Sequence, residues 1–274
     1  MLIEPLHIAV PTAFFKDESL NVQGTIDHIK YLYSQGIKSV LVCGSTGEQH
    51  SLNLREKIDL LNAVLKEEEL INNMEVLFGV SSIRQVEAVE LAKAIRNTKI
   101  AGILLGYPPY ILPSQEEALG YSEKIIDLTN KPTILYNNPK RTGFDLSLDS
   151  IIYLSMKEFV IGIKEAGNKD KIKTLKNKIH SSFYYYAGGE IDLEDKVKIG
   201  FNRLSSISGN ISPDETKKWF MKMLRNEPIT EQENLDITNI LQHVYTGSPL
   251  VNLKRMINEK GIEIGICRSP LGNI

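Results

Sequence analysis

One lysine stands at the end of a short apolar run, in the sequence Ile161-Gly162-Ile163-Lys164. If the run is a β-strand, its alternation puts Gly162 and Lys164 on one face and the two isoleucines on the other. We expect the isoleucines to meet outer helices and Lys164 to point into the protein. A lysine that loses hydration there has a lowered pKa, and its free amine can form a Schiff base with a ketone. The alternative is a strand-end lysine whose ammonium reaches solvent.

Three further segments that follow apolar runs carry groups suited to the same chemistry. Gly44-Ser45-Thr46-Gly47 offers backbone N–H groups and two hydroxyls ahead of a helix, which can cradle a carboxylate or a phosphate. Tyr136 ends another run, and a phenol beside an imine can donate and accept a proton. Arg141 follows a proline turn, where its guanidinium can bind a carboxylate with two hydrogen bonds. Each segment also has a structural interpretation, as a turn, a packing ring or a solvated cation.

Other kinds of site have little support in the sequence. The five histidines are scattered without a metal-binding spacing, and the two cysteines, Cys43 and Cys267, are too far apart for a zinc ribbon. Neither a P-loop nor a dinucleotide glycine fingerprint is present. With 32 Lys+Arg against 34 Asp+Glu, the net charge is −2, so we expect neither a nucleic-acid nor a membrane partner.

The elements that position these groups repeat along the chain. Short apolar runs recur at intervals of roughly 20–35 residues, the length of a βα unit. The predicted strands are Leu6–Val10, Ser39–Cys43, Glu75–Val80, Gly102–Leu105, Thr133–Tyr136, Val160–Lys164, Tyr184–Ala187 and Leu204–Ile207. Segments with helical period lie between them, among them Thr25–Gln35, Leu54–Glu69, Arg84–Asn97 and Gln115–Leu128. Eight such units predict an α/β fold, a single (β/α)8 barrel, whose catalytic groups lie at the carboxyl ends of the strands.

We expect one domain with a short appendage. Residues 1–226 are predicted to form the barrel, and residues 227–274 a C-terminal helical extension packed on it, with helices at Glu231–Tyr245 and Leu250–Lys260. No apolar run approaches the ~18 residues of a membrane span. The N-terminus lacks the basic and apolar regions of a signal peptide, so we expect a cytoplasmic protein.

Three motifs together resemble one enzyme family. They are Gly44–Glu48, the Tyr-Asn-x-Pro run at Tyr136–Pro139 and the Gly-Ile-Lys-Glu run at Gly162–Glu165. In this order and at this spacing they are similar to the motifs of the pyruvate-dependent class I aldolases, the family of dihydrodipicolinate synthase and N-acetylneuraminate lyase. The resemblance extends from Leu6 to Leu271, nearly the whole chain.

The resemblance implies a catalytic role for four side chains and no need for a metal or an organic cofactor. Lys164 corresponds to the lysine that forms an imine with pyruvate, and Tyr136 to the tyrosine that relays protons. Ser45 corresponds to the hydroxyl that connects Tyr136 to a second tyrosine, Tyr110, which a neighbouring subunit supplies in the family. Thr46 corresponds to the residue that holds the pyruvate carboxylate.

The resemblance also implies the second substrate, a small aldehyde. Arg141 matches the position at which the synthases bind the carboxylate of aspartate semialdehyde, which favours its condensation with pyruvate to 4-hydroxy-tetrahydrodipicolinate. Gly188 matches a pocket-lining glycine of strand 7, and Ser205 falls in the second-substrate pocket. The pair Ser205-Ser206 resembles the dehydratases of keto-deoxy sugar acids, so an aldolase or dehydratase acting on a sugar acid or on N-acetylneuraminate stays open.

The sequence also bears on whether the barrel is catalytic and on how it assembles. An alternative of another class is a non-catalytic barrel that binds a keto acid, although the presence of both Lys164 and Tyr136 speaks against it. The resemblance implies a homo-oligomer. Because the sequence ends at Ile274, before the last helix that most members have, both a dimer and a tetramer stay open.

Overall fold

The computed structural model describes residues 2–272 and contains a closed barrel of eight parallel strands. Each strand pairs with its neighbours in sequence, and β8 returns to pair with β1. The strands are β1 (Leu6–Ala9), β2 (Ser39–Val42), β3 (Glu75–Val80), β4 (Gly102–Gly106), β5 (Thr133–Asn137), β6 (Val160–Glu165), β7 (Tyr184–Ala187) and β8 (Arg203–Ser206). The predicted (β/α)8 barrel is confirmed, and the strand bounds agree with the prediction to within one residue.

The helices surround the barrel and continue beyond β8. They are α1 (Val22–Ser34), α2 (Leu54–Lys66), α3 (Glu68–Asn73), α4 (Gln85–Arg96), α5 (Gln115–Thr129), α6 (Pro139–Thr142), α7 (Leu148–Ser155), α8 (Lys171–Lys178), α9 (Leu193–Ile199), α10 (Pro213–Arg225), α11 (Glu231–Tyr245) and α12 (Pro249–Glu259). Asn53 and Ser114 form capping boxes at α2 and α5, and Thr230 forms another at α11, so the last helix pair begins at a defined residue.

The predicted helix Leu54–Glu69 is wrong over its last turn, because the chain leaves the helical conformation at Glu67 and restarts as α3. The backbone of Glu67 has φ −83° and ψ 80°, and its N–H still donates to the carbonyl of Val64. This break turns Leu70 and Ile71 into the core, where both are buried. The periodicity of apolar residues continues past Glu67, so the sequence pattern did not reveal the break.

Two apolar layers hold the barrel together. The inner layer fills the barrel with one side chain from most strands, among them Leu41, Leu77, Leu104, Ile134 and Tyr186. The outer layer lies between strands and helices and takes the alternate positions, for example Val76 and Phe78 of β3. This alternation is the period of two that each strand imposes on its side chains.

The prediction that both isoleucines of β6 face the outer helices is wrong for Ile161. Thr133 of β5 pairs with Val160 and Ile134 pairs with Gly162, so Ile161 is an extra residue in the register. Ile161 packs against the inner layer, whereas Ile163 packs in the outer one. After this irregularity the alternation resets, and Lys164 faces the barrel interior as predicted.

The last helices pack beside the barrel on a third apolar cluster that includes Ala13, Val244, Leu253 and Ile257. Gly265 makes a close backbone approach to this region, because a Cβ built on it would lie 1.8 Å from the carbonyl oxygen of Phe14. Within residues 2–272, no helix is long and apolar enough to cross a membrane.

The β2–β3 contact gives a test of the packing. A Cβ on Gly79 would lie 2.1 Å from the backbone oxygen of Cys43, so Gly79→Ala should lower the free energy of unfolding by about 3 kcal/mol. Gly120 is an exposed residue of α5 with no heavy atom near its Cβ position, so Gly120→Ala should raise that energy by about 0.5–1 kcal/mol. Urea unfolding of both variants checks this, and equal midpoints would contradict the close approach.

Candidate active site

A cavity of about 420 Å³ opens at the carboxyl ends of β2–β5. It is lined by side chains and backbone from the loops after these strands, among them Gly44, Ser45, Gln49, His50, Tyr107, Tyr136, Asn138, Lys140, Arg141 and Thr142. Of the predicted site residues, the structure therefore brings Ser45, Tyr136 and Arg141 to one cavity. Lys164 and Ser205 are buried beside Tyr136, and the half-buried Gly188 lies against Lys164.

Lys164 is buried near the end of β6, and the residue is only 6% exposed. Its Nζ donates a hydrogen bond to Ser205 Oγ at 2.8 Å and lies 4.6 Å from the centre of the Tyr136 ring. Burial lowers the pKa of Lys164 below that of an ordinary lysine, and the nearby charge of Arg141 lowers it further. Tyr136 and Glu190 oppose this shift in the pKa of Lys164 without cancelling it.

Tyr136 stands opposite Lys164 in the β5–β6 register, and its hydroxyl is held by two donors. Asn138 Nδ2 donates to it at 2.7 Å and Ser45 Oγ at 3.4 Å. Burial raises the pKa of Tyr136, but the Lys164 ammonium, these two hydrogen bonds and Arg141 together lower it below the ordinary value. Asn138 was not among the predicted site residues, although it lies in the Tyr-Asn-x-Pro run.

Gly188 allows the chain after β7 to lie against the lysine stem. A Cβ at this position would be 2.8 Å from the Cβ of Ala166 and 3.5 Å from Cε of Lys164. Thr46 is buried next to Ser45 in the loop after β2. Tyr110 does not join this group within the single chain, because its side chain is 89% exposed.

A buried carboxylate that the sequence analysis did not select closes the site on the β7–β8 side. Glu190 Oε1 accepts hydrogen bonds from the hydroxyls of Ser206 and Ser208 at 2.6 and 2.8 Å. It also accepts from the backbone N–H groups of Ile207 and Ser208. Ser206 is therefore bound inside the protein, and the negative charge of Glu190 faces the lysine from this side.

His7 is a second group that sequence reasoning missed. It lies on the inner face of β1, pairs in register with Ser205, and its ring stacks on that of Tyr186 with the centres 5.2 Å apart. Burial and the charge of Lys164 hold the pKa of His7 well below its ordinary value. His7 is thus uncharged at neutral pH and adds no second positive charge beside Lys164. The period of two along β1, which places His7 on the face of Ala9, was the available signal.

The arrangement can support carbonyl chemistry by an amine. A lysine with a lowered pKa supplies the nucleophile, and a phenol in contact with it can take and return protons. The cationic side chains of Lys140 and Arg141 at the cavity suit an anionic substrate. In residues 2–272, no group of three or more His, Cys, Asp or Glu side chains is placed to hold a metal ion.

Comparison with known proteins shows that the chain is a member of a known family. The profile of the dihydrodipicolinate synthetase family matches residues 4–274. A 4-hydroxy-tetrahydrodipicolinate synthase of Methanococcoides burtonii is 29% identical over 269 residues, which cover 97% of this chain and 91% of the relative. The family match thus takes in every residue of the cavity.

Solved structures agree in fold. The chloride-inhibited dihydrodipicolinate synthase of Acinetobacter baumannii, solved with pyruvate, superposes with a TM-score of 0.85 at 24% identity, over 98% of this chain and 93% of that one. The sialic acid aldolase of Ruminococcus gnavus superposes with a TM-score of 0.88 at 19% identity, over 97% and 90%. These two similarities establish the barrel and do not distinguish between the substrates of the two enzymes.

The buried ammonium predicts a stability effect of known sign. Replacing Lys164 with Met keeps the volume and removes a charge that folding desolvates, so Lys164→Met should raise the free energy of unfolding at pH 7 by about 1–2 kcal/mol. Because the pKa of Lys164 is lowered in the folded state, the cost of the charge is greatest below that pKa. This cost fades as the pH approaches about 10.4, the pKa of a lysine in the unfolded chain.

Urea unfolding at pH 7 and at about pH 10 measures the difference between the variant and the unmodified protein. Lys173→Met is the matched control, since Lys173 pairs with Asp170 on the surface, where both side chains are 63% exposed. The control should change little at either pH. A Lys164→Met variant that is less stable at pH 7 would contradict a desolvated ammonium.

Proposed function

The chain belongs to the dihydrodipicolinate synthetase family, and on that basis we propose that it condenses pyruvate with aspartate semialdehyde to 4-hydroxy-tetrahydrodipicolinate. The observation that carries the proposal is the contact between the buried Nζ of Lys164 and the Tyr136 ring, beside a cavity with Arg141 in its wall. The enzyme is a lyase of the class I aldolase type.

The reaction begins with imine formation. The neutral amine of Lys164 attacks the C2 carbonyl of pyruvate, a C–N bond forms, and the carbonyl oxygen leaves as water after it accepts protons. Tyr136 is the acid and base for this step, because its ring lies against the Lys164 amine and the pKa of its hydroxyl is lowered toward the working range. Asn138 and Ser45 hold the hydroxyl in place.

Carbon–carbon bond formation follows. Loss of a C3 proton from the imine gives an enamine, whose C3 attacks the aldehyde carbon while the aldehyde oxygen takes up a proton. The amino group of the second substrate then attacks the imine carbon, closes the six-membered ring and releases Lys164. The lysine nitrogen serves as the electron sink throughout.

The two carboxylates have separate binding positions. The backbone N–H groups and hydroxyls of Ser45 and Thr46 suit the pyruvate carboxylate, since this loop ends β2 and faces the cavity. Arg141 is exposed in the cavity wall, and within residues 2–272 no carboxylate lies within 4.0 Å of its guanidinium. It is thus free to bind the carboxylate of the aldehyde.

We also propose a homo-oligomer in which Tyr110 reaches the site of a neighbouring subunit. Tyr110, Ile111 and Leu112 form an exposed apolar segment, from 50% to 89% exposed, and Tyr110 and Leu112 have φ of 75° and 49°. A second subunit would bury these side chains. The hydroxyl of that Tyr110 would then form a hydrogen bond with Ser45, which links it to Tyr136.

The sugar-acid alternative loses part of its basis. It relied on Ser205 and Ser206, but Ser206 Oγ donates to Glu190 and accepts from the N–H of Gly209 at 2.9 Å. Ser205 is bound to Lys164. Both hydroxyls therefore have partners within the protein, which makes them less suited to recognising a sugar.

A substrate panel tests the proposal. Pyruvate is incubated with the protein and with aspartate semialdehyde, glyceraldehyde or N-acetylmannosamine, and products are identified by mass spectrometry. We expect a condensation product with aspartate semialdehyde, and none with Lys164→Arg, whose guanidinium stays protonated and cannot attack a ketone. Product from glyceraldehyde or N-acetylmannosamine, and none from aspartate semialdehyde, would support the sugar-acid alternative. The absence of product with every aldehyde would support a barrel that binds a keto acid without catalysis.

Removal of the guanidinium separates the two substrates. Arg141→Ala should raise KM for aspartate semialdehyde by about 10²-fold, because a charge-assisted bidentate contact is lost, and leave KM for pyruvate within about threefold. Lys140→Ala is the matched control, being the neighbouring cation of the same cavity wall, and should have the smaller effect. An equal rise for both substrates, or none, would show that Arg141 binds neither specifically.

A further inference from the structure

The loop that carries Ser45 and Thr46 is bounded by two residues in an unfavourable backbone conformation. Cys43 and Glu48 have φ of 57° and 51°, in the left-handed region that residues other than glycine rarely adopt. We call residues Cys43–Glu48 the site loop. Such a conformation persists only where surrounding contacts enforce it.

Thr12 Oγ1 donates to the carbonyl of Gly47 at 2.7 Å, and further contacts that hold the loop come from the end of the chain. The carboxylate of Glu48 is fully buried, and its Oε1 lies 2.6 Å from Nζ of Lys254 in α12, which is itself 2% exposed in its side chain. The other oxygen of Glu48, Oε2, accepts a hydrogen bond from the backbone N–H of Arg268 at 3.0 Å. A buried carboxylate of this kind stays in place only while its cationic partner does.

The two basic residues are fixed in turn. Lys254 Nζ donates to the carbonyl of Ile266 at 2.6 Å, and the Arg268 guanidinium forms a two-point ion pair with Glu56 at the start of α2. Both cations also lie over the ring of Phe14, 4.4 and 4.3 Å from its centre. Lys254 and Arg268 are therefore each held by several partners, and we expect the site loop to shift if their contacts with Glu48 are lost.

The loop transmits this constraint to the reacting groups. The N–H of Glu48 donates to the carbonyl of Ser45 at 3.2 Å, so Glu48 and Ser45 are held as one turn. Ser45 Oγ reaches the hydroxyl of Tyr136 at 3.4 Å, near the limit for a hydrogen bond. A shift of a few tenths of an ångström away from Tyr136 would break it.

We propose that Lys254 and Arg268 are positioning residues of the active site, which hold Glu48 and so keep the site loop where Ser45 contacts Tyr136. The catalytic consequence rests on the proposed function, whereas the positioning itself does not. The C-terminal segment thereby acts on the chemistry through a buried ion pair, without touching the substrate.

The first arm of the test measures Tyr136 directly, without any substrate. The protein is labelled with ¹³Cζ-tyrosine, the Tyr136 resonance is assigned with Tyr136→Phe, and its pKa is followed by NMR. Lys164, Arg141 and Tyr245 are the titratable groups that interact with this phenol, and Ser45 and Asn138 are its donors.

Lys254→Met should raise the pKa of Tyr136 to the value found in Ser45→Ala, and Lys254→Arg, which keeps the charge, should restore part of the difference. The control is Lys222→Met, which breaks an ion pair of 2.5 Å with Glu233 between α10 and α11 and should leave the pKa of Tyr136 unchanged. If Lys254→Met does not fold, Lys254→Met with Glu48→Gln removes both charges and takes its place. An unchanged pKa of Tyr136 in the folded variant would overturn the proposal.

The second arm is a double-mutant cycle on kcat. Ser45→Ala and Lys254→Met should each lower kcat about tenfold, as expected for one lost hydrogen bond at the reacting group. The double variant should be no slower than Ser45→Ala, because the lysine acts through the serine. Independent, multiplying losses would show that Lys254 acts elsewhere. If no aldehyde is condensed, the proposed function fails and the NMR arm alone decides the positioning.

Discussion

The burial of one ammonium group, that of Lys164, is the constraint on which the rest of the site depends. Desolvation lowers its pKa and so favours the free amine that the proposed reaction needs, but the same desolvation costs stability. The surroundings limit this cost without removing the effect, since Ser205 accepts one hydrogen bond and Tyr136 presents its ring. The neighbouring His7 stays neutral, which avoids a second charge.

The barrel supplies this environment from distant parts of the chain. Tyr136, Lys164 and Ser205 come from β5, β6 and β8, and closure of the sheet between β8 and β1 brings His7 next to them. Positions on strands are fixed by the ladders on both sides, so these side chains have little freedom. Ser45 comes instead from a loop with unfavourable backbone, and the buried pair of Glu48 with Lys254 supplies the rigidity that a strand would give.

Patterns along the chain predicted whatever depends on neighbours in sequence. The eight strands followed from apolar runs, and the inward direction of Lys164 followed from alternation. The predicted direction of the Ile161 side chain was wrong, because an irregularity in the strand register depends on two strands and not on one. The contacts of Glu190 and Lys254 were not predicted, because their partners lie 16 to 206 positions away and no local pattern records such a contact.

Trapping of the imine tests the central claim most directly. The protein is mixed with pyruvate, reduced with borohydride, digested, and the modified peptide is identified by mass spectrometry. Reduction converts the imine to a stable secondary amine, so the account predicts one pyruvate-derived adduct for each chain, located on Lys164. Recovery of the unmodified Lys164 peptide from protein that catalyses the condensation would contradict it.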